Sequence, residues 1–254
     1  MSRLTSALLL VSTALLLPTL SAQVVESIPA NKGNCCPTMS AQRLAADLAD
    51  WAQLGRYHDD DVKLLAAPAP AGRVIFMGDS ITDGWNLATF FPGKPYVDRG
   101  ISGQITSQML LRMFPDVLAL RPAAMIVLAG TNDIAGNNGP ETLETIENNL
   151  QAMTELAQAH HVKVILCSLT PISDYTPSQQ SAHRPPADIL KLNAWLRNYA
   201  AAAGATFADY YGALVDAQGM LKNGLSHDGL HPNAAGYALL APVASRAIEK
   251  ALAP

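Results

Sequence analysis

The sequence predicts an α/β protein, a three-layer sandwich with helices on both faces of a five-stranded parallel sheet. Two patterns carry that expectation. Short continuous runs of bulky apolar residues, such as 74–77 and 124–129, read as strands buried on both faces. Segments of helical length separate these runs, and strands joined in that way pair in parallel through right-handed crossovers.

Taken in chain order, Arg3, an apolar stretch over residues 7–17 and the small residues Ser21 and Ala22 read as a secretory signal peptide, residues 1–22. The apolar stretch is too short to span a bilayer. Cleavage after Ala22 leaves about 230 residues, enough for a single core. Residues 23–72 form an N-terminal extension with one helix: Ser40 caps it, Leu44, Leu48, Trp51 and Leu54 make an apolar stripe, and Gly55 stops it after Gln53. Residues 66–72, rich in Ala and Pro, lead into the main domain, residues 73–254.

There the first strand runs through 73–77 and breaks at Gly78. Tyr96 and Val97 mark the second strand, 124–129 the third, 162–167 the fourth and 205–208 the fifth. Helices fall at 104–114, 142–159, 187–203 and 233–252, with Gly204 ending the third of these. The connection 170–186 contains Pro171, Pro177, Pro185 and Pro186. A loop of that length either borders a site or makes a rigid surface excursion.

A net charge of −4 with only 15% charged residues, and no clustered basic surface, excludes a nucleic-acid footprint. No other stretch is long and apolar enough for stable membrane insertion. Three cysteines do not make a disulfide framework: Cys35 and Cys36 are adjacent, where a bridge is strained, and Cys167 sits in an apolar run as a small buried hydrophobe.

Following each strand to its carboxyl end collects the chemistry. Ser80 follows the first strand, Gly103 the second and Asn132 the third, while Asp228-Gly229-Leu230-His231-Pro232 precedes the closing helix. Open α/β sheets bind ligands along that edge. A serine hydroxyl needs a base within hydrogen-bond reach, which His231 supplies, and Asp228 three residues earlier can fix the imidazole tautomer. The backbone N–H groups of Ser80 and Gly103 and the side-chain amide of Asn132 are uncharged donors suited to an oxyanion. Plainer roles exist for each. Gly-Asp-Ser serves many turns and helix caps, Gly103 suits a turn, and Asn132 suits a cap. His183 and His227 are rival bases, although neither has an acid three residues before it.

The blocks Gly78-Asp79-Ser80-Ile81, Arg99-Gly100-Ile101-Ser102-Gly103, Gly130-Thr131-Asn132-Asp133 and Asp228-Gly229-Leu230-His231-Pro232 resemble, in order and placement, those of the GDSL or SGNH hydrolases. The resemblance covers residue 73 to the C-terminus. It implies a flavodoxin-like fold and ester or thioester hydrolysis with no metal or other cofactor. Carried over by position, it makes Ser80 the nucleophile, His231 the base, Asp228 the third triad member, and Ser80, Gly103 and Asn132 the oxyanion donors. Two departures stand out. Ile81 replaces the leucine of the motif name, and Asp98 precedes Arg99-Gly100 where asparagine is common. Thr82 stands where the Gly-x-Ser-x-Gly elbow of ordinary α/β-hydrolases has its second glycine.

Two other readings remain open at this point. Asp79, Asp83, Asn132, Asp133, His227, Asp228 and His231 are possible hard ligands of a metal-dependent phosphoesterase. A non-catalytic glycan-binding protein on the same fold is the other. For the esterase, the expected substrate is a small-molecule or glycan ester with a short acyl group, with lysophospholipids or thioesters as runners-up. Trp85, Tyr175 and His183 are the candidate substrate-binding residues.

Overall fold

Five strands, β1 (Val74–Gly78), β2 (Tyr96–Gly100), β3 (Ala124–Leu128), β4 (Lys163–Cys167) and β5 (Thr206–Ala208), form one parallel sheet in a computed structural model that describes residues 48–253. Their order is β2-β1-β3-β4-β5, and every neighbouring pair is parallel. All residues of β1 and β3 are buried, because helices cover both faces. That is why these strands read as unbroken apolar runs rather than alternating ones.

In chain order the helices are α1 (His58–Leu65), α2 (Ser80–Asp83), α3 (Leu87–Phe90), α4 (Thr106–Leu111), α5 (Thr131–Ile134), α6 (Leu143–Ala159), α7 (Pro186–Ala202), α8 (Tyr210–Leu214) and α9 (Ala234–Leu252). Two of the three long ones begin where a side chain satisfies free backbone donors, while α7 begins on Pro185 and Pro186 without a side-chain cap. Thr142 accepts from the Thr145 N–H, and Asn233 accepts from Ala235 and Gly236. The helix expected over 104–114 is shorter: α4 stops at Leu111, and Phe114–Leu118 follows as a π turn around Pro115.

The N-terminal extension departs further from expectation. Residues 1–47, which hold the expected signal peptide, Cys35, Cys36 and most of the 40–53 helix, lie outside the described residues. Leu48 and Ala49 are helical, but the helix does not reach Gln53. The Asp50 carboxylate instead takes the N–H groups of Leu54 and Gly55, and Gln53 adopts a left-handed φ of 56°. The Leu48, Trp51 and Leu54 stripe is exposed. Helix α1, not expected from the sequence, follows. It opens on the acidic run Asp59-Asp60-Asp61, favourable at a helix N-terminus, and Asp60 and Asp61 both pair with the buried Arg99 of β2.

The core continues beneath the carboxyl edge of the sheet. Trp85 is buried among Phe76, Phe91, Tyr210 and Tyr237, with the Tyr237 ring stacked on it at 5.2 Å. Tyr237 Oη donates to the Ile81 carbonyl at 2.8 Å, so α9 is pinned to the turn after β1. Cys167 is a free, buried thiol, and burial pushes its ionisation well above the ordinary range.

Candidate active site

Strands β1 and β3 are neighbours, yet the chain leaves them towards opposite edges of the sheet. The crevice outside their carboxyl ends is therefore the topological switch point. Ser80 and Asn132 flank that crevice, each in the first turn after its strand. The turn after β1 is tight because Gly78 lacks a side chain: a Cβ there would lie 2.1 Å from Thr82 Oγ1 and 2.9 Å from the Leu128 carbonyl. Asp79 then caps α2 by accepting the Ile81 N–H at 2.9 Å. Its other carboxylate oxygen is buried with no partner among the described residues, and burial pushes the acid up to about 6.

His231 reaches this turn from 151 residues downstream. Ser80 Oγ and His231 Nε2 lie 2.8 Å apart, and His231 Nδ1 is 2.6 Å from Asp228 Oδ2. The Asp228–His231 segment is a turn rather than a helix. Asp228 Oδ1 accepts from Ser226 Oγ and from the N–H groups of Leu230 and His231. Gly229 sits at φ 81° with its would-be Cβ 2.3 Å from the Ser173 carbonyl. Partial burial opposes ionisation of Asp228, but the hydrogen bonds from His231 and Leu230 outweigh it and hold the carboxyl well below its usual range. An ionised acceptor on Nδ1 leaves Nε2 free to receive a proton from Ser80.

The other two segments complete the pocket. Gly103, exposed and at φ 83°, lies within the loop after β2, and its carbonyl accepts from Asn137 Nδ2 at 3.1 Å. Asn132 donates one amide hydrogen to the Gln104 carbonyl at 3.0 Å, leaving its second for a ligand. No described residue accepts from the N–H groups of Ser80 or Gly103.

A continuous chain of hydrogen bonds ties the four segments together. Arg112 donates to the Gly78 carbonyl at 3.0 Å and to Gln104 Oε1 at 2.6 Å. Asn132 joins the Gln104 carbonyl to Arg184, whose Nη2 donates to Asn132 Oδ1 at 3.2 Å. Arg184 also donates to Thr131 Oγ1 and Gln180 Oε1, and Gln180 Nε2 donates to the Asp228 carbonyl at 3.1 Å. Arg184 and Gln180 come from the proline-rich connection, which therefore borders the site. Sequence reasoning missed both; the available signal was a single arginine in that loop next to His183.

Of the three expected pocket residues, the structure corrects Trp85, while Tyr175 and His183 are exposed on the proline-rich connection. Trp85 packs in the aromatic core, where no substrate ring can stack on it. Tyr175 is exposed and donates to Asp216 Oδ2 at 2.6 Å. His183 faces outward, while Arg184 turns in. The acids considered as metal ligands are dispersed: Asp79 caps α2, Asp83 holds Ser102, and Asp133 holds Thr106. Among the described residues, no three His, Cys, Asp or Glu side chains form a group suited to a metal ion.

A parallel α/β sheet with a hydrogen-bonded serine, histidine and aspartate at its switch point defines the hydrolase class. The sequence profile of the GDSL-like lipase/acylhydrolase family matches residues 76–239. The chain belongs to that family and is a carboxylic ester hydrolase. Among solved structures, it is similar to an inferred acylhydrolase from Bacteroides fragilis, at 38% identity and a TM-score of 0.74 over 80% of this chain and 99% of that one. It is equally similar to a GDSL-like lipase from Bacteroides thetaiotaomicron, at 38% identity and 0.73 over 80% and 100%. The fold is also shared with the acetylxylan esterase Axe2 of Geobacillus stearothermophilus, at 21% identity and 0.59 over 71% and 95%. A search of curated proteins found no match.

Proposed function

We propose that the protein is a secreted serine esterase that hydrolyses carboxylic esters of small acyl groups, carbohydrate O-acetyl esters among them, through an acyl-enzyme. The observation that carries this reading is the unbroken line from Ser80 Oγ through His231 to Asp228. Ser80 Oγ attacks the ester carbonyl as His231 Nε2 takes its proton. The oxyanion so formed faces the N–H groups of Ser80 and Gly103 and the free amide hydrogen of Asn132. Collapse expels the alcohol, protonated by His231, and leaves the acyl group on Ser80. Water then attacks that acyl group, giving its proton to His231, and the acid departs as the proton returns to Ser80. Asp228 keeps the imidazole in the required tautomer and stabilises its cation throughout.

The signal-like composition of residues 1–22 supports export. No helix of the described residues is long and apolar enough to cross a membrane. The likeness to a GDSL-like lipase favours a second reading, hydrolysis of lysophospholipids or thioesters on the same machinery. The test is turnover of nitrophenyl acetate and longer nitrophenyl esters, with Ser80→Ala and His231→Ala as controls. Each substitution should lower kcat by roughly 10⁵-fold or more with circular dichroism unchanged. Near-normal activity in either variant would overturn the assignment, and a preference for long acyl chains would favour the second reading.

A further inference from the structure

A cavity of about 310 Å³ opens beside Gly103, and the N-terminal extension forms one of its walls. Trp51 and Gln53 face it from the extension, Ser102 from the loop after β2, and Asn137 and Asn138 from the segment after α5. The volume falls at the lower end of the range for small-ligand sites, about 300–1,000 Å³.

The chemistry of the wall is selective. Among the described residues, no Asp, Glu, Lys or Arg side chain lines the cavity, so a phosphate or carboxylate group would find no opposite charge there. The wall is also mostly polar, which does not suit a long acyl chain. What it offers is amides, which donate and accept at once, a hydroxyl, and one indole. Ser102 Oγ donates to Asp83 Oδ2 at 2.6 Å and so presents its lone pairs. Asn137 commits its amide nitrogen to the Gly103 carbonyl and keeps its oxygen available. Trp51 is 41% exposed.

The wall is held in place rather than draped. Gln108 Nε2 donates to the Trp51 carbonyl at 2.6 Å, and Gln104 Nε2 donates to the Ala52 carbonyl at 2.9 Å. Gln104 is the residue whose own carbonyl receives Asn132. The backbone at Trp51 and Ala52 is thereby held by Gln108 and by Gln104, the residue that also meets Asn132.

We propose that this cavity is the subsite for the carbohydrate part of the ester, so that the alcohol released is a neutral glycan hydroxyl. This rests on the serine-esterase reading above and adds the class of leaving group and the residues that select it. Sugar hydroxyls both donate and accept, which matches the amides, and the apolar face of a pyranose ring matches an exposed indole.

The experiment compares kcat/KM for acetylated xylo- and manno-oligosaccharides with kcat/KM for nitrophenyl acetate in the wild type, Trp51→Ala and Asn138→Ala. Both substituted residues are exposed, so the fold should survive. Losing an aromatic or amide contact should lower the ratio of glycan to nitrophenyl ester by about fivefold or more, mainly through KM. A ratio lowered in either variant supports the subsite, and a ratio unchanged in both overturns it. Turnover of nitrophenyl acetate by a wild type inert towards both acetylated glycans, or preferring lysophosphatidylcholine, also overturns the subsite while leaving the esterase standing. A wild type inert towards nitrophenyl acetate and towards every ester tested would instead count against the serine-esterase reading itself.

Discussion

Arg184 Nη2 donates to Asn132 Oδ1 at 3.2 Å, and this contact decides which way the asparagine amide points. With its oxygen held by a cation, Asn132 presents both amide hydrogens away from Arg184. One goes to the Gln104 carbonyl, and the other is left for the oxyanion of the proposed mechanism. Under the proposed mechanism, Arg184 is a positioning residue for Asn132. Burial lowers its guanidinium pKa, while the nearby Asp79 and Asp228 carboxylates oppose that shift.

If Arg184 acts through Asn132, their effects on kcat will not add. Asn132→Ala should lower kcat by about 100- to 1,000-fold, the usual cost of one oxyanion donor. Arg184→Ala should lower it by about 10- to 100-fold, and the double variant should match Asn132→Ala within about threefold. A fully additive loss in steady-state kinetics on nitrophenyl acetate would show that Arg184 merely supports the fold.

Asp228→Asn should keep the turn and lose the chemistry. The asparagine oxygen can still accept the Leu230 and His231 N–H groups that now go to Asp228 Oδ1. Its amide nitrogen would donate towards Nδ1 and force the wrong imidazole tautomer. We expect kcat to fall by about 10³- to 10⁴-fold with the circular dichroism spectrum unchanged and the melting temperature lowered, because the depressed carboxyl pKa means that the ionised Asp228 stabilises the fold at neutral pH. A loss below about tenfold would mean that the tautomer is fixed by something other than Asp228.

How far the sequence carries the reader depends on whether an element is defined by its own residues. Strands β1 and β3 were legible because burial on both faces leaves an apolar run with no interruption. Helices α6 and α9 were legible from their helical stretches 142–159 and 233–252, which the structure shows to start at local caps, Thr142 and Asn233. Helix α1 was not. Its eight residues carry no apolar stripe of the kind that marks a core-facing helix, and its anchor is Asp61 on Arg99, 38 residues away. The same distinction runs through the site. Ser80, Gly103, Asn132, Asp228 and His231 sit in recognisable short blocks, and the fold brings Ser80 and His231 within 2.8 Å. Arg184 has no such block, since its partners Thr131, Asn132 and Gln180 meet only after folding. Trp85 shows the converse failure. A tryptophan soon after the serine has the same local sequence whether it lines a pocket or fills the core.

Two glycines, Gly100 at the end of β2 and Gly103 in the loop after it, should respond differently to alanine. At Gly100 a Cβ would lie 2.1 Å from the Asp83 backbone nitrogen, so Gly100→Ala must push β2 away from α2 and should prevent folding. At Gly103 the nearest atom is Asn137 Nδ2 at 4.0 Å, and the obstacle is only the φ of 83°. Gly103→Ala should therefore fold with a loss of about 1–2 kcal/mol. As its N–H turns from the oxyanion position, kcat should drop by about 100-fold. Soluble expression and urea denaturation separate the two cases, and a Gly103→Ala enzyme with wild-type kcat would remove Gly103 from the oxyanion donors.

Asp98 predicts a pH-dependent stability. Its Oδ1 accepts the Gly100 N–H at 2.7 Å, a role that asparagine fills equally well. Burial pushes the Asp98 carboxyl up to about 7, with the Asp83 carboxylate adding to the rise. A carboxyl raised in the folded state binds more protons there than in the unfolded chain, so stability falls as pH rises from about 4 to about 7. Asp98→Asn removes that penalty. The variant should match the wild type near pH 4 and exceed it at pH 8 by on the order of 1–2 kcal/mol, after allowance for partial solvent exposure. Urea midpoints at the two pH values provide the measurement. A gap that is constant with pH, or that widens towards acid, would mean that Asp98 is ionised in the folded protein at neutral pH with no cost.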